Sequence, residues 1–207
     1  MKLYYSPGAC SLAPHIVLNE IDVPYTLVEV NLRTKKTQDG SDFHAIHSKG
    51  YVPLLELEDG QRLSECGAVL LYLADLAPHR RLATADGTLE RYRLQEWLSF
   101  IACELHKQFS PLYDETPAEA IKKRQVEELA RCLDWTAEQL GRRLCLTGGA
   151  FTVADAYLFT VLNWCRDVSI NLGAWPQLTA YVANIAARPS VQTTLRKENL
   201  LESWAIR

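Results

Sequence analysis

The chain has 207 residues, a formal net charge of −3 and a hydrophobic content of 48%. This length and composition predict one large folded domain or two small ones, and they exclude an intrinsically disordered chain. The slight negative charge gives no electrostatic basis for binding nucleic acid or an anionic membrane surface. No apolar run approaches the roughly 18 residues that a membrane-spanning helix needs.

The cysteines are scattered along the chain, with no C-x-x-C motif and no histidine at zinc-site spacing. They are Cys10, Cys66, Cys103, Cys132, Cys145 and Cys165. The N-terminal segment lacks the long apolar core and the cleavage site of a signal peptide, so a cytoplasmic location is expected. In that compartment we expect reduced thiols, with neither a disulfide framework nor a metal site, and we expect no cofactor.

The first 78 residues mix strand and helix signals. Asp59-Gly60 predicts a type I′ hairpin turn, and Pro14 is tolerated because it lies in the first turn of a helix. In chain order the predicted elements are strand 2–6, helix 12–20, strand 25–30, irregular segment 31–40, strand 55–58, strand 61–64 and helix 65–76.

After about residue 85 the strand signals nearly vanish. A first long helix is predicted to end at Pro111, and a second runs from Ile121 to Leu140. The apolar residues of the first helix are Leu94, Trp97, Leu98, Ile101, Leu105 and Phe109. Thr152 and Asp155 form a capping box that opens a buried helix, and residues 188–190 separate two C-terminal helices. The change in composition near residues 79–87 predicts a small α/β domain, 1–80, and an all-helical domain, 87–207.

Cys10 is the first candidate for chemistry. It follows the Pro7-Gly8 turn and precedes a predicted helix, so its sulfur is expected to face unpaired amides and the positive end of the helix dipole, which favour thiolate. The alternative is a small buried apolar side chain. Ala13 stands where a glutaredoxin carries a second cysteine or a serine. The motif therefore lacks a resolving thiol, which favours holding another molecule's sulfur over dithiol redox cycling.

Two further segments offer groups that could bind a peptide. The Val52-Pro53 bond can adopt the cis form, which exposes the backbone of Val52 to an extended peptide, although most such prolines are trans. At the start of the next helix, free amides could bind a carboxylate while Glu65 pairs with an ammonium group. The alternative there is ordinary helix capping by Ser64.

A polar stripe is predicted on the first long helix. Ser99, Cys103 and His106 lie at i, i+4 and i+7, so at about 100° per residue they share a stripe within roughly 40°. Small polar groups with one imidazole suit the wall of a cleft. The alternative is a solvated histidine on a helix surface.

These features together resemble the beta-class, or bacterial, glutathione S-transferases across essentially the whole chain. The matching segments are MKLYYSPGACSLAPHIVLNE, YVPLLELEDG, LSECGAVLLYLADL, IACELHKQFSPLY and FTVADAYLF. The last segment is shared by the wider superfamily, whereas Cys10 and the run 104–107 are specific to the bacterial class. The resemblance implies an α/β thioredoxin-like N-terminal domain followed by an all-α C-terminal domain, and a homodimer that uses glutathione as cosubstrate.

The resemblance also implies a site. Glutathione would lie along Val52, with Glu65 and Cys66 at its γ-glutamyl end and Lys35 at its glycyl end, although the Lys35-Lys36 pair leaves that register open. Ser99, Cys103 and Glu104 occupy positions that reach across the dimer interface. Cys10 and His106 would face the glutathione sulfur and a pocket for a hydrophobic electrophile, which helix residues and the segment around Trp204 would line.

Three residues depart from the pattern of the class. Cys66 stands where serine is usual, Ser99 replaces asparagine, and Cys103 replaces a hydroxyl residue. A thiol is a weaker hydrogen-bond partner than a hydroxyl, so weaker glutathione binding is expected. The leading hypothesis is conjugation of glutathione to electrophiles. The alternatives are a glutathione-dependent thiol-disulfide reductase that uses Cys10 as its one thiol, and a non-enzymatic scaffold that binds a ligand or partner.

Overall fold

The computed structural model describes residues 1–114, 116–202 and 204, and these form two compact units. One unit contains residues 1–83 together with the segment from 189 onward, and the other contains 84–188. The predicted helical domain includes residues 189–207; in the structure residues 189–202 and 204 belong to the first unit instead, because helix 189–197 packs on residues 12–21. Residues 205–207, at the end of the predicted second domain, lie outside the described residues.

The first unit is built on a mixed sheet with helices against it, which confirms the thioredoxin-like α/β prediction. Its elements are β1 (Lys2–Tyr5), α1 (Leu12–Ile21), β2 (Thr26–Asn31), β3 (Lys36–Thr37), α2 (Phe43–Ile46), β4 (Leu54–Glu56), β5 (Arg62–Ser64), α3 (Cys66–Leu76), a 3-10 turn (Pro78–Arg80) and α9 (Pro189–Lys197). The strand order is β3-β2-β1-β4-β5. Strands β1 and β2 are parallel, and the other neighbouring pairs are antiparallel.

The central strand and its crossover helix form the core of this unit. Because β1 and β2 run parallel, the chain must cross over the sheet between them, and α1 makes this connection. In β1, Leu3 is fully buried and pairs with Leu27 on one side and Leu55 on the other. Side chains of α3 and α9 cover α1, which is why this helix is buried over most of its length.

The first unit differs from the prediction at two places. The segment predicted to be irregular contains the short strand β3, whose Thr37 pairs with Val30 of β2. The hairpin turn is not type I′, because only Gly60 of the Asp59-Gly60 pair has a positive φ, 83°. Instead the Leu57 amide donates to the Gln61 carbonyl (2.8 Å) and the Asp59 carboxylate accepts from the Gln61 amide (3.0 Å), which closes a three-residue loop.

The second unit is helical, as predicted. Its elements are α4 (Leu89–Phe100), a π-helix (Ile101–His106), α5 (Lys107–Tyr113), α6 (Glu119–Leu140), α7 (Val153–Asn163), 3-10 turns at Trp164–Arg166 and Leu172–Ala174, and α8 (Pro176–Ala186). The first long helix is thus interrupted by a π-helical segment. Pro111 lies inside α5 rather than at its end, and the helix continues for two residues beyond it, to Tyr113.

The predicted capping box is present at the start of α7 and is fully buried. The Asp155 carboxylate accepts hydrogen bonds from the Thr152 amide (2.8 Å) and hydroxyl (2.9 Å). Its other oxygen accepts from the Leu146 amide (2.8 Å) and the Tyr181 hydroxyl (2.9 Å). Burial raises the pKa of Asp155, and these donors oppose that rise. One side chain therefore fixes the start of α7, the preceding loop and α8.

Within the described ranges, none of the helices has both the length and the apolar character needed to cross a bilayer. The same residues contain no group of three or more His, Cys, Asp or Glu side chains arranged to hold a metal ion.

Candidate active site

The structure brings Cys10 against Val52 in the first unit. Cys10 lies between β1 and α1, in a turn where the Ala9 amide donates to the Ser6 carbonyl (3.0 Å). Its side chain is buried, with 9% exposed, and its thiol donates to the Val52 carbonyl at 3.2 Å. Two residues that were predicted from separate motifs, 42 positions apart, are therefore in direct contact.

The expectation of unpaired amides facing Cys10 is wrong for the first two residues of α1. The Leu12 amide donates to the Ala9 carbonyl (2.9 Å), the Ala13 amide donates to the Cys10 carbonyl (3.2 Å), and Pro14 has no amide hydrogen. A tight turn ahead of α1 uses these donors, so they are not available to an added anion. The hydrogen bond found for the Cys10 sulfur is to a carbonyl oxygen, and the sulfur acts there as a donor.

The Val52-Pro53 peptide bond is cis, as the motif allowed. Val52 is buried, with 7% exposed, and lies immediately before β4. Lys35, predicted at the glycyl end, reaches the same stretch of chain: its ammonium donates to the Gly50 carbonyl (3.0 Å) and lies 5.5 Å from the centre of the Tyr51 ring. Lys35 and Val52 are thus linked through the loop 50–52.

The first turn of α3 differs from ordinary capping. The N-cap residue is Glu65, not Ser64, and its side chain makes no cap hydrogen bond. Glu65 has a φ of 71°, which is uncommon for a residue other than glycine. Its exposed carboxylate pairs with the ammonium of Lys49 at 2.7 Å. The alternative of capping by Ser64 is therefore wrong, whereas carboxylate binding at this turn stays a prediction.

Cys66 is the first residue of α3 and contacts the Cys10 backbone. Its thiol donates to the Cys10 carbonyl at 3.5 Å, and both residues are buried. Packing of α1 against α3 produces this contact. Cys10, Val52 and Cys66 therefore form a connected cluster within the first unit.

The helical unit carries the other predicted site residues. Ser99, Cys103 and Glu104 are exposed, while His106 is half-buried. The predicted stripe assumed an α-helix throughout, but residues 101–106 form a π-helix with i→i+5 hydrogen bonding, so the angular estimate does not apply.

His106 is held by aromatic neighbours in its own unit. Its Nδ1 lies 2.7 Å from the hydroxyl of Tyr157, which is buried on α7. The imidazole also packs edge-on against Trp164, with ring centres 4.7 Å apart. These contacts fix the orientation of the ring.

Sequence reasoning missed a buried pair that supports the Cys10 turn. Glu198, just after α9, lies 2.7 Å from Nδ1 of His15 on α1 and accepts a hydrogen bond from the Gly8 amide (3.0 Å). Both side chains of the pair are fully buried. Gly8 has a φ of 72°, and a Cβ at this position would lie 3.3 Å from the Trp204 ring. Apart from the Pro7-Gly8 turn, no local pattern signals this contact, because 183 positions separate its partners.

Comparison with known proteins finds glutathione S-transferase family models that match parts of both units. The family model described as the glutathione S-transferase N-terminal domain matches residues 1–75, and the model for the C-terminal domain matches 100–189. The glutathione S-transferase GstA of Escherichia coli O157:H7 is 44% identical over 200 residues, covering 97% of this chain and 100% of the relative.

Two solved structures are similarly close. A sphingomonad glutathione S-transferase complexed with glutathione is 44% identical, with a TM-score of 0.93 over 97% of this chain and 100% of the other. The bacterial beta-class enzyme of Sphingomonas chungbukensis has the same identity, TM-score and coverage. The chain therefore belongs to the glutathione S-transferase family and is an enzyme of the bacterial beta class.

Proposed function

We propose that this enzyme conjugates glutathione to electrophilic, hydrophobic small molecules, a detoxification reaction, with Cys10 as the residue that holds the glutathione sulfur. The contact of Cys10 with Val52, beside the first turn of α3, is the observation that carries the proposal. It provides a thiol, an extended backbone segment and a helix N-terminus within one unit. A γ-linked tripeptide has a sulfur, a peptide backbone and a charged amino-acid headgroup to match them.

The Cys10 thiol has two alternative acceptors in this proposal. In the structure it donates to the Val52 carbonyl. A peptide paired with the Val52 backbone engages that carbonyl, which leaves the Cys10 S–H to donate to the glutathione sulfur. Such a donor stabilises the thiolate, which is the nucleophilic form, and holds it in position for the acceptor.

This chain has groups complementary to both charged ends of glutathione. At the γ-glutamyl end, the amides at the start of α3 bind the carboxylate and Glu65 binds the ammonium. In the structure the Glu65 carboxylate pairs with the ammonium of Lys49. Both side chains are exposed, so replacing the Lys49 ammonium with that of glutathione costs little free energy. Lys35, close to the loop 50–52, pairs with the glycyl carboxylate.

His106 is proposed as a second donor or general base for the glutathione sulfur. Because Tyr157 engages Nδ1, proton transfer by this residue falls to Nε2. The basis for this role is the match of the run 104–107 to the bacterial class.

We also propose that the enzyme is a cytoplasmic homodimer in which Ser99, Cys103 and Glu104 contact the partner subunit. These three residues are exposed. Leu89 and Tyr92, which share a face of α4 with Ser99, are 60% and 59% exposed, and an apolar face of this kind suits an interface.

The test is calorimetric titration with glutathione, together with turnover of a chloro-nitroaromatic compound. Wild-type protein is expected to bind glutathione and to form the conjugate. Cys10→Ala is expected to lose about tenfold or more in kcat/KM, since a hydrogen bond to a charged group contributes about 1.5–3 kcal/mol. Cys145→Ala, in the helical unit, is the matched control and should behave as wild type. Absence of binding heat in the wild type would refute the proposal.

Cys66→Ser is expected to tighten the dissociation constant for glutathione several-fold. The hydrogen bond from the Cys66 thiol to the Cys10 carbonyl is long, 3.5 Å, and a hydroxyl is a better partner worth about 1 kcal/mol more. Calorimetric titration of this variant beside Cys132→Ser measures the difference. Unchanged or weaker binding would argue against placing the γ-glutamyl end at Cys66.

A further inference from the structure

The tertiary structure supplies Cys10 with a second thiol that its own sequence motif lacks. Ala13 occupies the position at which a resolving cysteine would be expected after Cys10. Cys66, 56 positions away, instead places its sulfur 3.5 Å from the Cys10 carbonyl. None of the six cysteines, all within the described residues, is in a disulfide, so both side chains are thiols here.

The contact of the Cys66 thiol with the Cys10 carbonyl limits how far apart the two cysteines can be. A carbonyl oxygen lies about 2.4 Å from its own Cα, so the Cys66 sulfur is within about 6 Å of the Cys10 Cα. A disulfide joins sulfurs about 2.05 Å apart on residues whose Cα atoms are about 4.4–6.8 Å apart. The Cys66 sulfur lies about 2.8 Å from its own Cα, so the contact limits the Cα–Cα separation to about 9 Å, an upper bound that includes the disulfide range. Rotation about the two Cα–Cβ bonds is the movement that would bring the sulfurs together. That rotation breaks the two thiol–carbonyl hydrogen bonds described above, and thiols are weak hydrogen-bond donors.

We propose that Cys10 and Cys66 form a redox-active dithiol in which Cys66 resolves mixed disulfides that form on Cys10. The proposal shares the location of Cys10 with the proposed function, but it does not require conjugation to occur. It replaces the one-thiol reductase alternative with a two-thiol route.

Glutathione disulfide is the oxidant in this scheme. The Cys10 thiolate attacks one sulfur of glutathione disulfide, forming a bond from Cys10 to glutathione and releasing the other glutathione as a thiolate. The Cys66 thiolate then attacks the Cys10 sulfur, forming the Cys10–Cys66 bond and releasing the second glutathione. Two electrons pass from the protein to the oxidant, and the two protons lost by the cysteines are taken up by the two glutathione thiolates.

The oxidised form would be inactive in conjugation. Its disulfide removes the Cys10 S–H that donates to the glutathione sulfur, and it removes the Cys66 thiol from the γ-glutamyl end. Two molecules of glutathione reverse both steps. The ratio of reduced to oxidised glutathione would therefore control how much of the enzyme can conjugate.

The test uses full-length protein incubated with glutathione disulfide, quenched with acid, alkylated and measured by intact mass and tryptic mapping. Trypsin separates the two cysteines, with Cys10 in peptide 3–33 and Cys66 in peptide 63–80. Wild-type protein is expected to lose two hydrogens, to retain no glutathione and to yield these peptides linked. Cys66→Ser is expected to retain one glutathione on Cys10, and Cys132→Ser should match the wild type.

The proposal is overturned if wild-type protein retains glutathione on Cys10 as fully as Cys66→Ser does, or if the linked peptides are absent. The second of these outcomes, the absence of linked peptides, is measured on wild-type protein, so a folding defect in the variant does not affect it. Conjugation by the reduced wild type is measured in parallel. Conjugation without linked peptides overturns the dithiol only, whereas linked peptides without conjugation overturn the proposed function only.

Discussion

Asp155→Ala is expected to lower the free energy of unfolding by about 3–5 kcal/mol. The carboxylate accepts hydrogen bonds from Leu146, Thr152 and Tyr181 in a fully buried setting. Alanine leaves the Leu146 and Thr152 amides without this acceptor, whereas the Tyr181 hydroxyl keeps its longer contact with the backbone carbonyl of residue 155 (3.3 Å). Each buried donor left unsatisfied costs about 1–3 kcal/mol. A loss of this size is a large fraction of the roughly 5–15 kcal/mol that stabilises a typical domain.

Denaturant-induced unfolding followed by circular dichroism measures this effect. Thr152→Ala is the matched control, because it removes only the cap hydroxyl and is expected to cost about 1 kcal/mol. If Asp155→Ala is no more destabilising than Thr152→Ala, the carboxylate is not the group that holds the start of α7, the preceding loop and α8 together.

Glu198→Ala is expected to destabilise the first unit by a similar amount, about 3–5 kcal/mol, because it removes one partner of a buried pair. His15 loses the carboxylate 2.7 Å from its Nδ1, and the Gly8 amide loses its acceptor. Gly8 lies in the turn before Cys10, so the variant is also expected to bind glutathione more weakly. Thermal unfolding and calorimetric titration measure the two effects.

Glu198→Gln separates the hydrogen bonds from the charge. Burial raises the pKa of Glu198, although the hydrogen bond with His15 opposes this. A carboxyl whose pKa is higher in the folded state than in the unfolded chain stabilises the fold most at low pH, and that contribution is lost as the pH rises through the folded pKa. Glutamine keeps an acceptor for Gly8 without titrating. We therefore expect Glu198→Gln to be milder than Glu198→Ala and its stability to fall less as the pH rises above the usual carboxyl range. Equal losses for the two variants would contradict this explanation.

The type and order of the main elements could be predicted because their signals are local. Alternation in residues 55–58, helical spacing from Leu94 to Phe109 and the Thr152–Asp155 spacing each depend on neighbours within a few turns of chain. The boundaries were less predictable. Strand β3 exists only because Thr37 pairs with Val30, and the π-helix at 101–106 leaves the spacing of buried residues compatible with an α-helix.

The candidate site likewise has one part that the sequence predicts and another that it does not. Cys10 became a candidate because it lies in a predicted strand-to-helix turn, and Val52 because it precedes a proline. Both signals can be seen in the sequence because turns depend on residues that are adjacent in the chain. The sequence by itself thus determined the fold class, the order of elements and the family to which the motifs point. Only the tertiary structure decided that Cys66 contacts Cys10 and that Glu198 supports Gly8. These contacts join residues 56 to 190 positions apart, and packing of α1 against α3 and α9 produces them, so no local pattern records them.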